Sequence, residues 1–500
     1  MSESGQAKLA GRRRYRRIMK RANALMQDGD LDAAVDAFGR VIGELDAHGS
    51  AFGDDDLIVL RDMARAWHAL AEAHRRREDF VEAVSAQRAC CDVVAQLASR
   101  DPDRSRRQHN VTIAYAALSV TLERAGDLRL AVSAARLAAV QAEATAERFP
   151  DEPVLAFEAL KQRLMVEKLM VAAASPRATR IANLRAGIAA AQLMAPHLLI
   201  ADDVWNELRQ GYLDLANLLQ LEQDYADARQ VLDELMGLAR IRLTQRPADV
   251  ERCTQVAIVH FLRALIETME ERETAALVAH LEALACYDHL PANLFLEVQV
   301  QSHRARFLAQ ALEQATTRGP AFARELRGAA IAPFVMLSEE RPCDAGRQQL
   351  VLVALHDFAR QLIARNAPAM ALDAIAAARQ LIATRRVWDE DALLLRRWEG
   401  FLNLEAGRAL AALNRTLEAG CALRESLDLN EALWSEDPND VRAPCDIAYA
   451  QWQLARVAPA QRRDHLRRSR AILTWLSRSG RLPDYARAWL GAIERDLQAA

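Results

Sequence analysis

The sequence predicts an all-α chain, an α-solenoid of about ten helical hairpins with a C-terminal capping helix. Three observations predict it. Small alanines stand where the second helix of a hairpin would open, at Ala34, Ala83, Ala131, Ala228, Ala371 and Ala419, and their gaps approach whole multiples of about 48 residues. Prolines placed to end a hairpin share that period: Pro102, Pro150, Pro196, Pro247, Pro291, Pro342, Pro438 and Pro483. The composition agrees. It is 51% hydrophobic but only 5% aromatic, with much alanine, which suits closely packed helices better than sheets.

The hairpin from Arg107 to Pro150 shows the pattern most plainly. Val111, Ala114, Tyr115, Leu118 and Leu122 follow helical spacing, Gly126-Asp127 breaks the run, and Leu128, Ala131, Val132, Ala135, Ala138 and Ala139 resume it. Extended along the chain, the same punctuation places hairpins at 15–52, 57–102, 105–150, 154–196, 199–247, 250–291, 293–342, 346–388, 391–438 and 442–483. Residues 1–14 read as a basic tail or helix start, 15–483 as the repeat array, and 484–500 as the capping helix. Pro176, Pro320, Pro368 and Pro459 fall in the turn between the two helices of a hairpin, and Pro153 and Pro444 near helix starts. Pro333 alone sits inside an apolar helical run, Ala329–Leu337, and is expected to break or kink that helix.

The residues at these positions resemble the tetratricopeptide repeat. Its pattern has a large aromatic, then Leu and a small residue, then an Ala opening the second helix. Trp67, Leu70, Ala71 and Ala83 fit it, as do Tyr212, Leu215, Ala216 and Ala228, and Tyr115, Leu118, Ser119 and Ala131. The first hairpin keeps Ala34 and Phe38. A long-unit bacterial branch of the family sets Asp-Pro before an aliphatic-x-x-Tyr helix. Asp101-Pro102 before Ile113-Ala114-Tyr115-Ala116, and Asp437-Pro438 before Ile447-Ala448-Tyr449-Ala450, are similar to it. The resemblance implies a superhelix of hairpins and a protein-binding role. It also implies that ligand-facing positions on the first helix lie two before, and one, five and eight after, the aromatic residue. Those positions are Arg65, His68, Glu72 and Arg75 in the second hairpin, and Gln210, Leu213, Asn217 and Gln220 in the fifth. The resemblance implies that they line one concave groove for a protein or peptide.

Catalytic signatures are missing. The chain has no phosphate-cradling glycine loop, no HExxH pair and no nucleophile elbow, so a non-catalytic role is expected, with no cofactor and no metal. His280, Cys286, Asp288 and His289 are the best metal candidates, but they lack paired ligand spacing and read as a buried thiol beside a solvated turn. His68 and His74 do not share a helix face and read as surface or interface residues. The late tryptophans, Trp388, Trp398, Trp434, Trp452, Trp475 and Trp489, read as gap-fillers between long helices before they read as a binding hot spot.

Charge and cysteine usage bound the setting. Net charge is −3, but residues 8–21 carry +8 and residues 456–487 carry +7. Basic ends can attract nucleic acid, although a solvated cap on a repeat array explains them as well. Seven scattered cysteines read as reduced core thiols, and no apolar stretch reaches the length of a membrane span. The expectation is a cytoplasmic scaffold or adaptor for a protein partner. The alternatives are a nucleic-acid-associated regulator and the accessory subunit of a separate enzyme.

Overall fold

A computed structural model describes the backbone of residues 3–52, 57–315, 320–385 and 392–499, and every regular element there is helical. The helices are α1 (Glu3–Asp28), α2 (Leu31–Phe52), α3 (Leu57–Arg76), α4 (Phe80–Arg100), α5 (Ser105–Arg124), α6 (Leu128–Arg148), α7 (Pro153–Ala172), α8 (Arg177–Ala191), α9 (Pro196–Leu199), α10 (Asp202–Leu221), α11 (Tyr225–Gln245) and α12 (Val250–Met269). They continue with α13 (Glu273–Ala285), α14 (Ala292–Phe295), α15 (Val298–Ala315), α16 (Pro320–Glu339), α17 (Ala345–Ala364), α18 (Pro368–Arg385), α19 (Ala392–Ala412), α20 (Thr416–Glu436), α21 (Arg442–Val457), α22 (Arg462–Arg478) and α23 (Asp484–Gln498). Consecutive long helices pair as hairpins, and α23 packs on α22. The short α9 and α14 fill two of the connections between hairpins. Residues 1–238 form one compact unit and 239–500 a second.

The six alanines that mark the second helices are all fully buried, at 0% exposure. Wholly enclosed between packed helices, such a position leaves little room for a larger side chain. The first helix of eight hairpins ends on a residue with left-handed backbone: Gly29, Glu78, Gly126, Ala174, Gln223, Glu271, Asn366 and Asn414. In each case the next residue donates its N–H five residues back, as Asp127 does to the Leu122 carbonyl and Ser175 to that of Met170. This 6→1 bond satisfies a carbonyl the helix end would leave open. Aspartates then start several second helices: the Asp30 carboxylate accepts from the Ala33 N–H and that of Asp127 from the Leu130 N–H.

Two expectations need correction. Of the break or kink expected at Pro333, the break does not occur: the helix α16 runs through it without interruption. Leu326, Ala330 and Phe334 anchor it in the core, and the buried Arg304 guanidinium donates to the Ala330 carbonyl at 2.9 Å. That anchoring outweighs the single donor Pro333 removes. The cysteines are not all core thiols either. Cys90, Cys91, Cys253 and Cys445 are buried, but Cys286 is half-buried, Cys343 and Cys421 are exposed, and all seven are free.

Candidate partner-binding surfaces

In the first unit, α3 and α5 stand side by side as first helices of successive hairpins, with α4 behind them. Between them lies a cavity of about 460 Å³. Its floor is Ala64, Cys90, Val94 and Leu97, and its rim carries Arg61, Arg65, His68, Arg104, Arg106 and Arg107. Two carboxylates answer those five guanidiniums. Asp62, nearly buried, accepts from the Tyr15 hydroxyl at 2.9 Å and is shared by Arg61 at 3.5 Å and Arg65 at 3.6 Å. Asp101 meets Arg107 at 2.6 Å and Arg104 at 3.3 Å. Arg106 is exposed and belongs to neither group. The cavity therefore keeps a net positive charge over an apolar floor.

The eight positions implied by the repeat resemblance divide. Arg65 and His68 are exposed and line this cavity. Glu72 and Arg75 are half-buried further along α3, where Arg75 is paired with Glu72 and reaches the Thr121 hydroxyl on α5 at 3.4 Å. Partial burial pushes the Glu72 carboxyl up, but hydrogen bonds and charge from Arg76 and Arg75 outweigh it and hold the group below its usual range. Arg75 thus ties two first helices together. On α10, Gln210 and Asn217 are exposed and Leu213 and Gln220 half-buried. The Gln210 amide donates to Asp214 at 2.8 Å. These four lie outside the α3–α5 cavity.

The second unit holds a larger cleft, about 840 Å³, that the repeat offsets did not point to. The first helices α17, α19 and α21 line it, together with α23. Two aromatic groups face it. His356, Trp398 and Phe401 sit with centroids 5.6 to 5.9 Å apart. Tyr449 and Trp489 are 4.6 Å apart, with Tyr485 5.3 Å beyond Trp489. Arg360 lies 3.7 Å from Asp357 and 3.9 Å from Glu405, and Arg408 closes on Glu405 at 2.5 Å. Asp446, also lining the cleft, makes no side-chain hydrogen bond or ion pair among the described residues. Burial pushes its carboxyl up, the Asp440 charge adds to this, and Arg397 and Arg442 offset part of it, leaving it at about 7. One signal was available: Trp398 and Trp489 belong to the late tryptophans, and Tyr449 to the Asp-Pro motif helix. Trp388 lies outside the described residues. Trp434 stacks with Trp475 at 5.6 Å, and Trp452 donates to Asp496 at 2.7 Å, so these three serve packing.

The metal candidates separate. His280 is buried against Gln314 at 3.2 Å, and the Cys286 thiol donates to the Glu282 carbonyl. Asp288 instead offsets part of the charge of buried Arg304. Among the described residues no three His, Cys, Asp or Glu gather as a metal site. His74 stands 3.7 Å from Asp79 in the turn after α3.

No protein-family model and no curated protein matches the chain. Among solved structures it is similar to yeast Tom70, at 14% identity over 97% of this chain and 96% of that one, with a TM-score of 0.20. It is similar to a circular tandem repeat protein with novel repeat topology, at 14% identity over 98% and 97%, TM-score 0.25. A structure of Naa15/Naa10 bound to HypK matches at 12% identity over 97% of this chain and 75% of that one, TM-score 0.26. At these values the architecture rests on the chain's own helices. Within each unit they follow one another as hairpins, with a fully buried alanine at the marked second helices, which makes this an all-α chain of repeated helical hairpins.

Proposed function

We propose that the chain is a non-catalytic protein-binding scaffold whose first-helix face takes an acidic segment of a protein partner. The observation that carries this is the α3–α5 cavity, where five guanidiniums face an apolar floor and only Asp62 and Asp101 answer them. Arginine forks suit carboxylates, and the floor suits the aliphatic part of a peptide. The partner surface includes Arg65 and His68 and extends to Glu72 and Arg75 on α3 and to Gln210, Leu213, Asn217 and Gln220 on the first helix α10. Free thiols, two of them exposed, support a reducing cytoplasmic setting. No helix among the described residues is long and apolar enough to cross a membrane.

The test is Arg65→Glu with Arg106→Glu, since both side chains are exposed. The variant should keep wild-type helicity and melting temperature while losing a protein partner identified with the wild type by mass spectrometry. Unchanged capture overturns the reading. A second arm measures binding of single-stranded RNA and duplex DNA across a salt series. Tight, steeply salt-dependent binding lost in the same variant would assign the cavity to nucleic acid instead.

A further inference from the structure

We propose that the aromatic cleft of the second unit binds a cationic side chain, an arginine or lysine of an extended basic peptide, with its charge against Asp446 and its stem across Tyr485 and Trp489. This site is distinct from the α3–α5 cavity and of opposite preference. The argument is one of incompletely answered charge: three arginines and three carboxylates line the cleft, but the third arginine, Arg442, acts on Asp446 only at a distance, without a hydrogen bond or ion pair to it. Of the three carboxylates lining the cleft, Asp357 and Glu405 are engaged by Arg360 and Arg408. Arg397 is taken up by Asp440. Among the described residues Asp446 has neither a donor nor an ion-pair partner, yet it is set among aromatic rings in a cleft open to solvent. A carboxylate so placed costs folding free energy, and a cation arriving from outside would recover it.

The rings define what kind of cation fits. The rings of Tyr449, Trp489 and Tyr485 follow one another, with neighbouring centroids 4.6 and 5.3 Å apart and planes tilted by 40° and 64°, and a ring face left open attracts positive charge through its quadrupole. The protein already uses one of them so, with the Arg408 guanidinium 5.7 Å from the Tyr449 centroid. Tyr485 is 54% exposed, so its face is open to a ligand. The second aromatic group, His356, Trp398 and Phe401, lies in the same cleft. About 840 Å³ lined by two aromatic groups exceeds what one small cation fills, which favours a peptide that sets successive side chains into it.

The probe is an acetylated, amidated nonapeptide of alternating alanine and arginine, titrated against the full chain by calorimetry at pH 7.5. Its twin replaces each arginine with citrulline, which has the same shape without the charge. The arginine peptide should bind about tenfold tighter than the citrulline peptide. Asp446→Asn should bring the arginine peptide down to the citrulline level, and Tyr485→Ala should weaken it several-fold. Both variants should keep wild-type helicity, because Asn is isosteric and Tyr485 is half exposed. Equal affinity for the two peptides, no binding of the arginine peptide, or binding that Asp446→Asn leaves unchanged each overturns the proposal. If N-acetylarginine amide alone binds as tightly as the nonapeptide, the occupant is a small cation and the peptide assignment falls. Arg65→Glu with Arg106→Glu should leave this binding intact, so the two sites stand or fall separately.

Discussion

Two charged residues show how differently a single buried group can be handled. Arg304 is fully buried, yet its guanidinium reaches the Gln301 and Ala330 oxygens and stacks 4.6, 5.2 and 5.6 Å from the Phe295, Phe334 and Phe358 centroids. Burial pulls its pKa down to about 10, which still leaves it charged at neutral pH. Asp446 has no such partners, and burial raises its carboxyl to about 7. An unfolded aspartate loses its proton near about 3.9. Between those two values the folded chain holds the extra proton, so this group's contribution to stability falls as pH rises from about 4 to about 7. Above that window the whole penalty is present. Asp446→Asn escapes it. Melting curves of variant and wild type should converge near pH 4 and separate, with the variant higher, towards pH 8. A constant difference across that range would mean that Asp446 titrates as an ordinary surface carboxylate.

At the scale of the helix, the hairpin register makes a direct prediction. Ala131 is at 0% exposure between α5 and α6, whereas Arg129, two residues earlier, is exposed. Ala131→Trp should cost about 1–3 kcal/mol or more through overpacking, and Arg129→Trp within about 0.5 kcal/mol. Thermal or urea melts of the two variants check it, and equal midpoints would mean the register is wrong. The helices were legible in the sequence because close contact demands alanine and turns accept proline, so both leave a mark at fixed spacing. Pro333 misled as to a break because propensity speaks only of the local backbone, while Phe334 and Arg304 hold the helix through contacts 24 or more residues distant in sequence. The α3–α5 cavity was half legible. Arg65 and His68 follow from offsets on one helix, and Arg61 stands one turn before Arg65. Arg104, Arg106 and Arg107 join them only when α5 packs beside α3. Asp446 left no mark, because its isolation depends on α23 folding back over α21 and on where Arg397, Arg408 and Arg442 point.

Across the whole chain, the two units carry surfaces of opposite character on the same kind of helix. The first unit offers guanidiniums over a small apolar floor, and the second offers rings around an unpaired carboxylate. The sequence shows basic ends and an acidic middle, but charge counted along a chain does not say which charges neutralise one another. Of the basic terminal residues, Arg14 reaches Glu44 and Arg16 reaches Asp62, while α22 keeps Arg462, Arg463, Arg467, Arg468 and Arg470 exposed.

The left-handed turns make the array adjustable joint by joint. Gly126 and Ala174 occupy equivalent places, with φ of +83° and +50°, but only glycine adopts such a backbone without penalty. A Cβ at Gly126 would meet nothing within 4 Å, so its cost there is purely torsional. Ala174→Gly should therefore gain about 1 kcal/mol and Gly126→Ala lose about as much, opposite signs from reciprocal exchanges. Because each hairpin leans chiefly on its neighbours, such changes should alter where the array opens first. Hydrogen exchange should show protection rising in α7 and α8 for the one and falling in α5 and α6 for the other. Identical shifts spread over the entire chain would mean that it opens as a single block. Otherwise the eight turns act as independent set-screws on local opening, and none of them lies among the residues lining the α3–α5 cavity.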